Sequence, residues 1–412
     1  MQRRLWSRWA LGWIALALPA GAIPAGAQNG VILDQQLDAQ NKGYTVLRLW
    51  GSHYEIGYAQ AALLGDYIVQ GVNETKSLLD MYHQYDYVRG IMATAVWMSA
   101  MEDEFDGLVD SLAVTHPAAE IDALDLKVAS TAGEWLYGCR SHTCWGRYVA
   151  PPVKTLSTRR LDFSTPFSSM NHHVLCARDP DGDAPRWVNL SWPGIVTGVT
   201  GVNEFGTVVS LHDYNCDTDF AAGRMPRMVA CRHALTFATG PHVAAHLGAV
   251  WAELQQYEVM TGSFINVYAP EGHGGVMVCH PQQSGPDFYY LRTPQEVWHH
   301  GEAMITTNAW TDGTYTPSDE NFGADGYYDD ETPKTLESHW DLLADGSNGL
   351  HLLSVAYRGR ADMTLWADGR LNPGRTPRLE WEWCELFGPA EVEPATLDTA
   401  GMHAPASVQP VP

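Results

Sequence analysis

The chain has 412 residues, and its 48 acidic side chains outnumber the 25 basic ones, which gives a net charge of −23 at pH 7. So acidic a surface repels phosphate backbones and anionic lipids, and it argues against nucleic acid and membrane surfaces as partners. Apolar residues make up 45% of the chain, which is enough for the core of one large layered domain or two small ones.

Residues 1–27 have the features of an export signal. Arg3, Arg4 and Arg8 precede an apolar run, and residues 25–27 (Ala-Gly-Ala) offer a small-residue cleavage site. The run is interrupted by proline and is shorter than the roughly 20 residues that span a bilayer. We therefore expect an exported protein, periplasmic or extracellular, with no membrane insertion once the signal is removed.

The next segment, residues 28–138, is predicted to be mainly helical. Ser52 followed three residues later by Glu55 forms a capping box, and apolar residues then recur at helical spacing. A second amphipathic helix is predicted over residues 87–113 and a third over residues 120–135.

From residue 139 onward the pattern changes to strands. Turn-rich stretches at 179–183 and 203–206 each separate two predicted strands. Further strands and helices are predicted at helix 226–238, helix 241–257, strands 263–270, 275–280, 287–293 and 302–310, helix 333–344, and strands 362–368 and 378–388. Blocks of antiparallel strands separated by helix pairs favour an α+β layered domain. The Pro- and Ala-rich tail 389–412 is predicted to be loosely ordered.

Of the seven cysteines, Cys139 has the most unusual surroundings. The simplest interpretation of any cysteine is a structural one, as a core residue or as half of a disulfide. Cys139, however, directly follows Gly138 at the helix-to-strand boundary, and glycine tolerates strained peptide geometry. The thiol could attack the Gly138 carbonyl, and hydrolysis of the resulting thioester would free Cys139 as a new N-terminus.

Such a cleavage would place a nucleophile and its base in one residue. A free α-amine has a pKa of about 7.7–8.0, so at neutral pH it can accept the proton of the thiol. N-terminal residues are used as nucleophiles in this way in other hydrolases. A catalytic metal is not predicted, because the chain has no C-x-x-C pair and no H-E-x-x-H spacing.

Five segments in the same order resemble a known family. They are GSHYEIGYAQ, GCRS, TRRLDF, SWPGIVTGVTGVNEFGTVVS and ITTNAW. The family is that of the autoproteolytic cysteine acyltransferases, the isopenicillin N acyltransferase-like N-terminal-nucleophile hydrolases, which are related to the choloylglycine hydrolases. The resemblance runs from about residue 45 to about 385 and implies a four-layer αββα sandwich with a helical prosegment.

The resemblance also implies a role for each matching residue. Cys139 would be the nucleophile, Asp162 would position its amine, and Arg159 would lie near the thiol. Asn203 and Asn308 would complete the oxyanion hole. Other interpretations stay open: Arg159 and Asp162 could form an ordinary ion pair at a strand end, and Asn203 suits a turn.

Three positions depart from the family pattern, namely Arg140, Arg160 and Ala309. The two arginines could place extra positive charge near the thiol, lowering its pKa or attracting an anionic substrate group. Cys144 is an alternative to Cys139 as nucleophile, or a disulfide partner, although core packing is favoured because no glycine precedes it.

Taken together, the sequence predicts an exported amidohydrolase or acyltransferase that cleaves itself between Gly138 and Cys139. The products would be an α chain of residues 28–138 and a β chain whose catalytic domain spans residues 139–388. Linear N-acyl amides would react through a thioester on Cys139, without a cofactor or metal. The alternatives are a choloylglycine-hydrolase-like or acyl-homoserine-lactone acylase-like specificity, and a non-catalytic binding protein with the same fold. The sequence does not indicate an oligomeric state.

Overall fold

The computed structural model describes part of the chain in thirteen segments. These are residues 29–135, 139–161, 168–213, 221–237, 243–270, 273–279, 289–292, 302–306, 324–330, 332–344, 351–358, 361–366 and 378–388. Three residues with predicted roles, Gly138, Asp162 and Asn308, lie outside these segments.

The segment upstream of residue 136 contains two strands as well as helices. Its elements are β1 (Gly30–Leu37), β2 (Gly43–Gly51), α1 (His53–Met81), α2 (Tyr85–Met92), α3 (Ser99–Thr115), α4 (Ala123–Ser130) and a 3₁₀ turn (Ala132–Trp135). The prediction of a mainly helical segment is therefore wrong for residues 30–51.

The capping box predicted for the first helix is confirmed. The backbone N–H of Glu55 donates to Ser52 Oγ at 3.3 Å, and the backbone N–H of Ser52 donates to Glu55 Oε2 at 2.8 Å. The Ser52 hydrogen bonds lower the pKa of Glu55. These two bonds satisfy backbone donors that the first turn of α1 cannot pair internally.

The second predicted helix is in fact two helices, α2 and α3. Between them the Val96 N–H donates to the Arg224 carbonyl at 3.0 Å, and the Trp97 indole donates to the Met92 carbonyl at 3.2 Å. A backbone bond to a distant part of the chain replaces the helical bond here, which the local apolar pattern could not reveal.

Downstream of residue 138 the chain alternates strands with helices. The elements are β3 (Cys139–Trp145), β4 (Thr155–Leu161), β5 (His172–Pro180), β6 (Trp187–Ser191), β7 (Thr200–Asn203), β8 (Val208–Asp213), α5 (Arg227–Phe237), α6 (Val243–Leu254), β9 (Ser263–Ala269), β10 (His273–Cys279), β11 (Tyr289–Arg292), β12 (Ala303–Thr306), α7 (Ala324–Asp329), α8 (Leu336–Ala344), β13 (His351–Tyr357), β14 (Ala361–Trp366), β15 (Leu379–Glu382) and α9 (Trp383–Phe387). The predicted α+β class is confirmed, as are the two hairpins and the helices near 226–238, 241–257 and 333–344. Residues 383–387, predicted as strand, are helical.

Within the described residues the strands form two sheets. Sheet A has the order β1-β2-β5-β6-β7-β8-β9-β10-β11, and sheet B has the order β12-β3-β4-β13-β14-β15. Neighbouring strands are antiparallel except β2 and β5, which run parallel along the length of both strands. Because β2 lies upstream of residue 138 and β5 downstream, sheet A contains strands from both sides of the proposed cleavage point.

Apolar side chains pack on both faces of each sheet. One cluster joins helices α1 and α3–α6 to a face of sheet A, and it includes Cys139. A second cluster combines residues of both sheets, such as Val188 and Val355. A third lies on sheet B around Cys144 and Tyr328. Cys139 and Cys144 therefore belong to different clusters, although they are only five residues apart.

No helix in the described part of the chain is both long and apolar enough to cross a membrane.

Candidate active site

Cys139 is the first residue of β3 and contacts the guanidinium of Arg159. Arg159 lies on the neighbouring strand β4, where it pairs in register with Ser141. Its Nη2 donates to Cys139 Sγ at 2.8 Å and to the Leu211 carbonyl at 2.9 Å. Cys139 is 8% exposed and Arg159 is 2% exposed, so this charged hydrogen bond is formed away from bulk water and is strengthened by the low local dielectric.

Side chains of β3 alternate between two environments, as they do along any strand. Ser141 accepts a hydrogen bond from Asn266 of sheet A, whereas His142 contacts Tyr328 at 2.9 Å beyond the other face of sheet B. The side chain of Cys139, like that of Ser141, lies on the face of sheet B that is turned towards sheet A. The same alternation along β4 places Arg159 and its neighbour Arg160 on opposite faces.

Arg160 is therefore not the extra positive charge near the thiol that the sequence suggested. Its Nη1 donates to the Leu343 carbonyl of α8 at 2.6 Å. The expectation that Arg160 adds positive charge beside the thiol is wrong, because β-strand alternation turns adjacent side chains to opposite faces. Arg140 lies directly across from Arg160 in the register of β3 and β4.

A buried polar network connects the two sheets beside the thiol. Asn266 of β9 donates through Nδ2 to Ser141 Oγ at 2.8 Å and to Ser210 Oγ at 3.2 Å. Its Oδ1 accepts from Thr306 Oγ1 at 3.0 Å. The Asn266 amide thus connects four strands. Its partner Ser141 lies two residues along β3 from Cys139. Buried networks of this kind fix the relative position of the strands when every member is paired.

The structure places Asn203 in a turn, not at the thiol. Its Oδ1 accepts from the N–H groups of Phe205 at 3.1 Å and Thr207 at 3.0 Å, and its Nδ2 donates to the Leu235 carbonyl at 3.1 Å. Thr207 directly precedes β8. Leu211, whose carbonyl contacts Arg159, comes four residues later, which separates the two residues by roughly 13 Å at strand spacing. The turn interpretation of Asn203 is therefore confirmed, and these contacts argue against the oxyanion role, which stays a prediction.

Several charged groups around Cys139 were not identified from the sequence. Asp213, the last residue of β8, pairs with Arg227 of α5. Arg227 Nη1 also donates to the Gly262 carbonyl at 3.0 Å, and its Nε lies 3.8 Å from Glu134 Oε2. Burial would lower the pKa of Arg227, but Glu134, Asp213 and Cys139 outweigh it and raise that pKa.

Glu134 is buried, and it lies five positions before Cys139 in the chain. Its Oε1 accepts from the Met228 N–H at 3.0 Å, and its Oε2 accepts from Thr261 Oγ1. Burial raises the pKa of Glu134, while Arg227, Thr261 and the Met228 N–H oppose that rise. No short motif marks this residue, because its partners come from three distant parts of the chain.

Two further titratable side chains near the thiol are held in their neutral forms. Burial and the charge of Arg159 hold the pKa of His212 well below its usual value. Burial raises the pKa of the Cys231 thiol to about 12, and Arg159 only partly opposes this. Arg159 therefore contacts Cys139 directly, Arg227 interacts with its charge, and Glu134 and Asp213 pair with Arg227.

Cys144 is fully buried on the other side of sheet B. Its Sγ lies 3.2 Å from His339 Nε2, and burial raises the pKa of its thiol. None of the six described cysteines is part of a disulfide, so Cys139 and Cys144 are not bonded to each other. Core packing, which the sequence favoured for Cys144, agrees with its surroundings.

The described residues contain no group of three or more His, Cys, Asp or Glu side chains arranged to hold a metal ion.

Comparison with known proteins gives matches at the level of structure only. No family model and no curated protein matches the sequence. Among solved structures, the chain is similar to a Caenorhabditis elegans N-acylethanolamine-hydrolyzing acid amidase ortholog, with 12% identity over 59% of this chain and 99% of that chain and a TM-score of 0.37. It is also similar to penicillin V acylase from Agrobacterium tumefaciens, with 10% identity over 60% of this chain and 86% of that chain and a TM-score of 0.39.

Proposed function

We propose that the protein is an exported amidohydrolase or acyltransferase that cleaves itself between Gly138 and Cys139 and then uses Cys139 as an N-terminal nucleophile. The fold would be the αββα sandwich of the N-terminal-nucleophile hydrolases. Residues 28–138 and 139–412 would remain together as two chains. The substrates would be small linear N-acyl amides.

The observation that supports this proposal most directly is the contact between Cys139 and Arg159. A thiol at the start of a strand, 2.8 Å from a buried guanidinium, is in the electropositive setting that favours a reactive thiolate over an inert core thiol. The five other described cysteines lack a contact of this kind, and four of them are buried.

The proposed reaction needs no cofactor. The α-amine of Cys139 takes the proton of the thiol, and Sγ attacks the carbonyl carbon of the amide. The carbon–nitrogen bond breaks as the amine returns the proton to the leaving nitrogen, and a thioester remains on Cys139. Water or an acceptor amine then attacks the thioester and regenerates the thiol.

Two residues outside the described segments complete the proposed site. Asp162 follows Leu161, which pairs in register with Cys139, and would orient the amine. Asn308 comes two residues after Thr306, which pairs with Ser141, and would donate to the oxyanion. An oxyanion donor of this kind typically contributes 10²–10³-fold to the rate.

Intact-protein mass spectrometry tests the proposal. We expect the wild-type protein, expressed with its residues 1–27, to yield two chains separated between Gly138 and Cys139, and Cys139→Ala to remain one chain. Cys144→Ala is the matched control, because that thiol faces away from sheet A, and it should be cleaved like the wild type. An intact wild-type protein that hydrolyses none of a panel of N-acyl amino acids, acyl-homoserine lactones, penicillins and bile conjugates would favour the non-catalytic binding protein instead.

Substitutions of the adjacent residues Arg159 and Arg160 extend the same experiment. Arg159→Lys loses the planar fork that contacts both Cys139 and Leu211, so we expect both cleavage and amide hydrolysis to slow by about tenfold or more. Arg160→Lys changes the same side chain on the opposite face of β4 and should leave both rates within about twofold. Equal losses in the two variants would argue against a specific role for Arg159.

A further inference from the structure

We propose that Glu134 is a positioning residue for Cys139, acting from the upstream chain through Arg227 and Asp213. This inference rests on the proposed function, since it assigns to the α chain a residue that the working site retains after cleavage. Glu134 lies five positions before Cys139 in the sequence, and its carboxylate is buried among downstream partners.

The first step of the argument is the contact of Glu134 with α5. Its Oε1 accepts the Met228 N–H at the first turn of that helix, at 3.0 Å. The N-terminal N–H groups of a helix have no internal partners and carry a partial positive charge, so a carboxylate there both satisfies and neutralises them. Glu134 therefore fixes the end of α5 that carries Arg227.

The second step runs from Arg227 to β8. Arg227 lies with its Nε 3.8 Å from Glu134 Oε2 and pairs with Asp213. Asp213 is two residues from Leu211, whose carbonyl accepts from the same Arg159 nitrogen that contacts Cys139 Sγ. Buried contacts, joined by a two-residue step along β8, thus connect the upstream carboxylate to the nucleophile.

The third step is the balance of charge at this site. Glu134 and Asp213 both pair with Arg227, Arg159 donates to Cys139, and His212 and Cys231 are neutral. Removing one buried carboxylate leaves the guanidinium charge in excess, and this excess stabilises a thiolate. Glu134 should therefore influence the reactivity of Cys139 without touching it.

The test uses Glu134→Gln in the full-length protein, a change that keeps the shape of the side chain and removes its charge. We expect cleavage at Gly138–Cys139 to slow by about tenfold or more, since Arg227 of α5 loses its ion pair with Glu134 and is held by Asp213 alone among its two carboxylates. We also expect the pH midpoint of Cys139 alkylation by iodoacetamide, followed on its peptide by mass spectrometry, to fall by about 0.5 unit or more. A residue that merely stabilised the fold would not move this midpoint.

Two further variants make the result decisive. Glu258→Gln removes an exposed carboxylate that lies 3.5 Å from Arg224 at the approach to α5, and it should change neither readout. Thr261→Val removes a donor to Glu134 while keeping the carboxyl group itself, so it should slow cleavage and move the midpoint less than Glu134→Gln does. It decides the matter if Glu134→Gln does not fold.

The inference and the proposed function fail in different ways. Wild-type cleavage combined with a Glu134→Gln variant that matches it in rate and midpoint would overturn the inference alone. An uncleaved, inactive wild type would overturn the proposed function, and the alkylation midpoints would still report whether Glu134 acts on Cys139.

Discussion

The side chain of Asn203 uses its carbonyl and its amide to hold a turn. Two backbone N–H groups of the β7–β8 turn donate to its Oδ1, and its Nδ2 holds that turn against the end of α5. The motif GVNEFG contains this residue for a structural reason, since asparagine can replace a backbone acceptor in a tight turn.

We predict that Asn203→Ala lowers the free energy of unfolding by about 1–3 kcal/mol, because buried N–H groups lose their acceptor. The folded fraction should keep kcat within about twofold, as measured by urea unfolding and by amide hydrolysis at a temperature where the variant is folded. Asn203→Asp keeps the acceptor but places a second oxygen against the Leu235 carbonyl in place of the amide donor, so it should also lose stability. Asn308→Ala should show the opposite pattern, a loss of kcat of about 10²–10³-fold. A loss of kcat of that size in Asn203→Ala would instead support an oxyanion role for Asn203.

Residues of the site differ in how far the sequence could reveal them. Arg159 could be predicted because it lies in a short motif near Cys139, and the strand pairing that brings them together is local. Glu134 and Arg227 could not, because they are 93 positions apart and meet only through the packing of α5. The expectation for Arg160 is wrong because a motif does not show which face of β4 each residue occupies.

Helices α1 and α3 are in contact through two glycines. A Cβ at Gly107 would lie 2.0 Å from the Tyr54 carbonyl oxygen, and one at Gly57 would lie 2.0 Å from the Glu104 carbonyl oxygen. Backbone atoms cannot yield as a flexible side chain would, so each glycine allows the other helix to approach.

We predict that Gly107→Ala lowers the free energy of unfolding by about 1–3 kcal/mol, because the added methyl forces the two helices apart. Gly90→Ala is the matched control, since Gly90 is an exposed residue of α2 and a methyl group added there would have no atom within 4 Å. That variant should be unchanged or more stable by about 0.5–1 kcal/mol. Denaturant unfolding measures both, and equal effects would show that helix propensity rather than packing controls the result.

Local patterns predicted most of the other elements correctly. The capping box located the start of α1, and turn-forming residues located the β5–β6 and β7–β8 hairpins. Strands β1 and β2 escape local prediction because their place in sheet A depends on β5, more than a hundred residues later. The WCELF stretch reads as strand, but its N-terminal capping box with Glu382 and Glu385 favours the helix α9.

At the scale of the whole molecule, Glu104 connects elements upstream of the Gly138–Cys139 bond with elements downstream of it. Its carboxylate on α3 lies 3.1 Å from His53 Nδ1 and 3.6 Å from Arg178 Nε, and it pairs with Arg232 of α5. Burial would raise the pKa of Glu104, but Arg232, His53 and Arg178 outweigh it and lower that pKa to about 2.

We predict that Glu104→Gln lowers the free energy of unfolding at pH 7 by about 3 kcal/mol, since two buried arginines lose their counter-ion. The folded-state pKa lies below its usual value of 4.5, so this stabilisation is complete above pH 4.5 and is lost as the pH falls through 2. The difference between variant and wild type should therefore shrink over that range. Urea unfolding at several pH values measures it.

Glu302→Gln is the control, because its ion pair with Arg147 is partly exposed and should contribute at most about 1 kcal/mol. A Glu104→Gln loss that stayed the same from pH 7 to pH 3 would point to packing, not charge.

If the chain is cleaved as proposed, sheet A would prevent the two-chain form from refolding as its precursor does. In the continuous chain, β2 and β5 find each other by a first-order search within one molecule. After cleavage between residues 138 and 139, the same parallel pairing requires two polypeptides to meet, so refolding becomes second-order and depends on concentration. The cleaved form would then persist through slow unfolding more than through reversible equilibrium, and its lifetime would be set by its first denaturation.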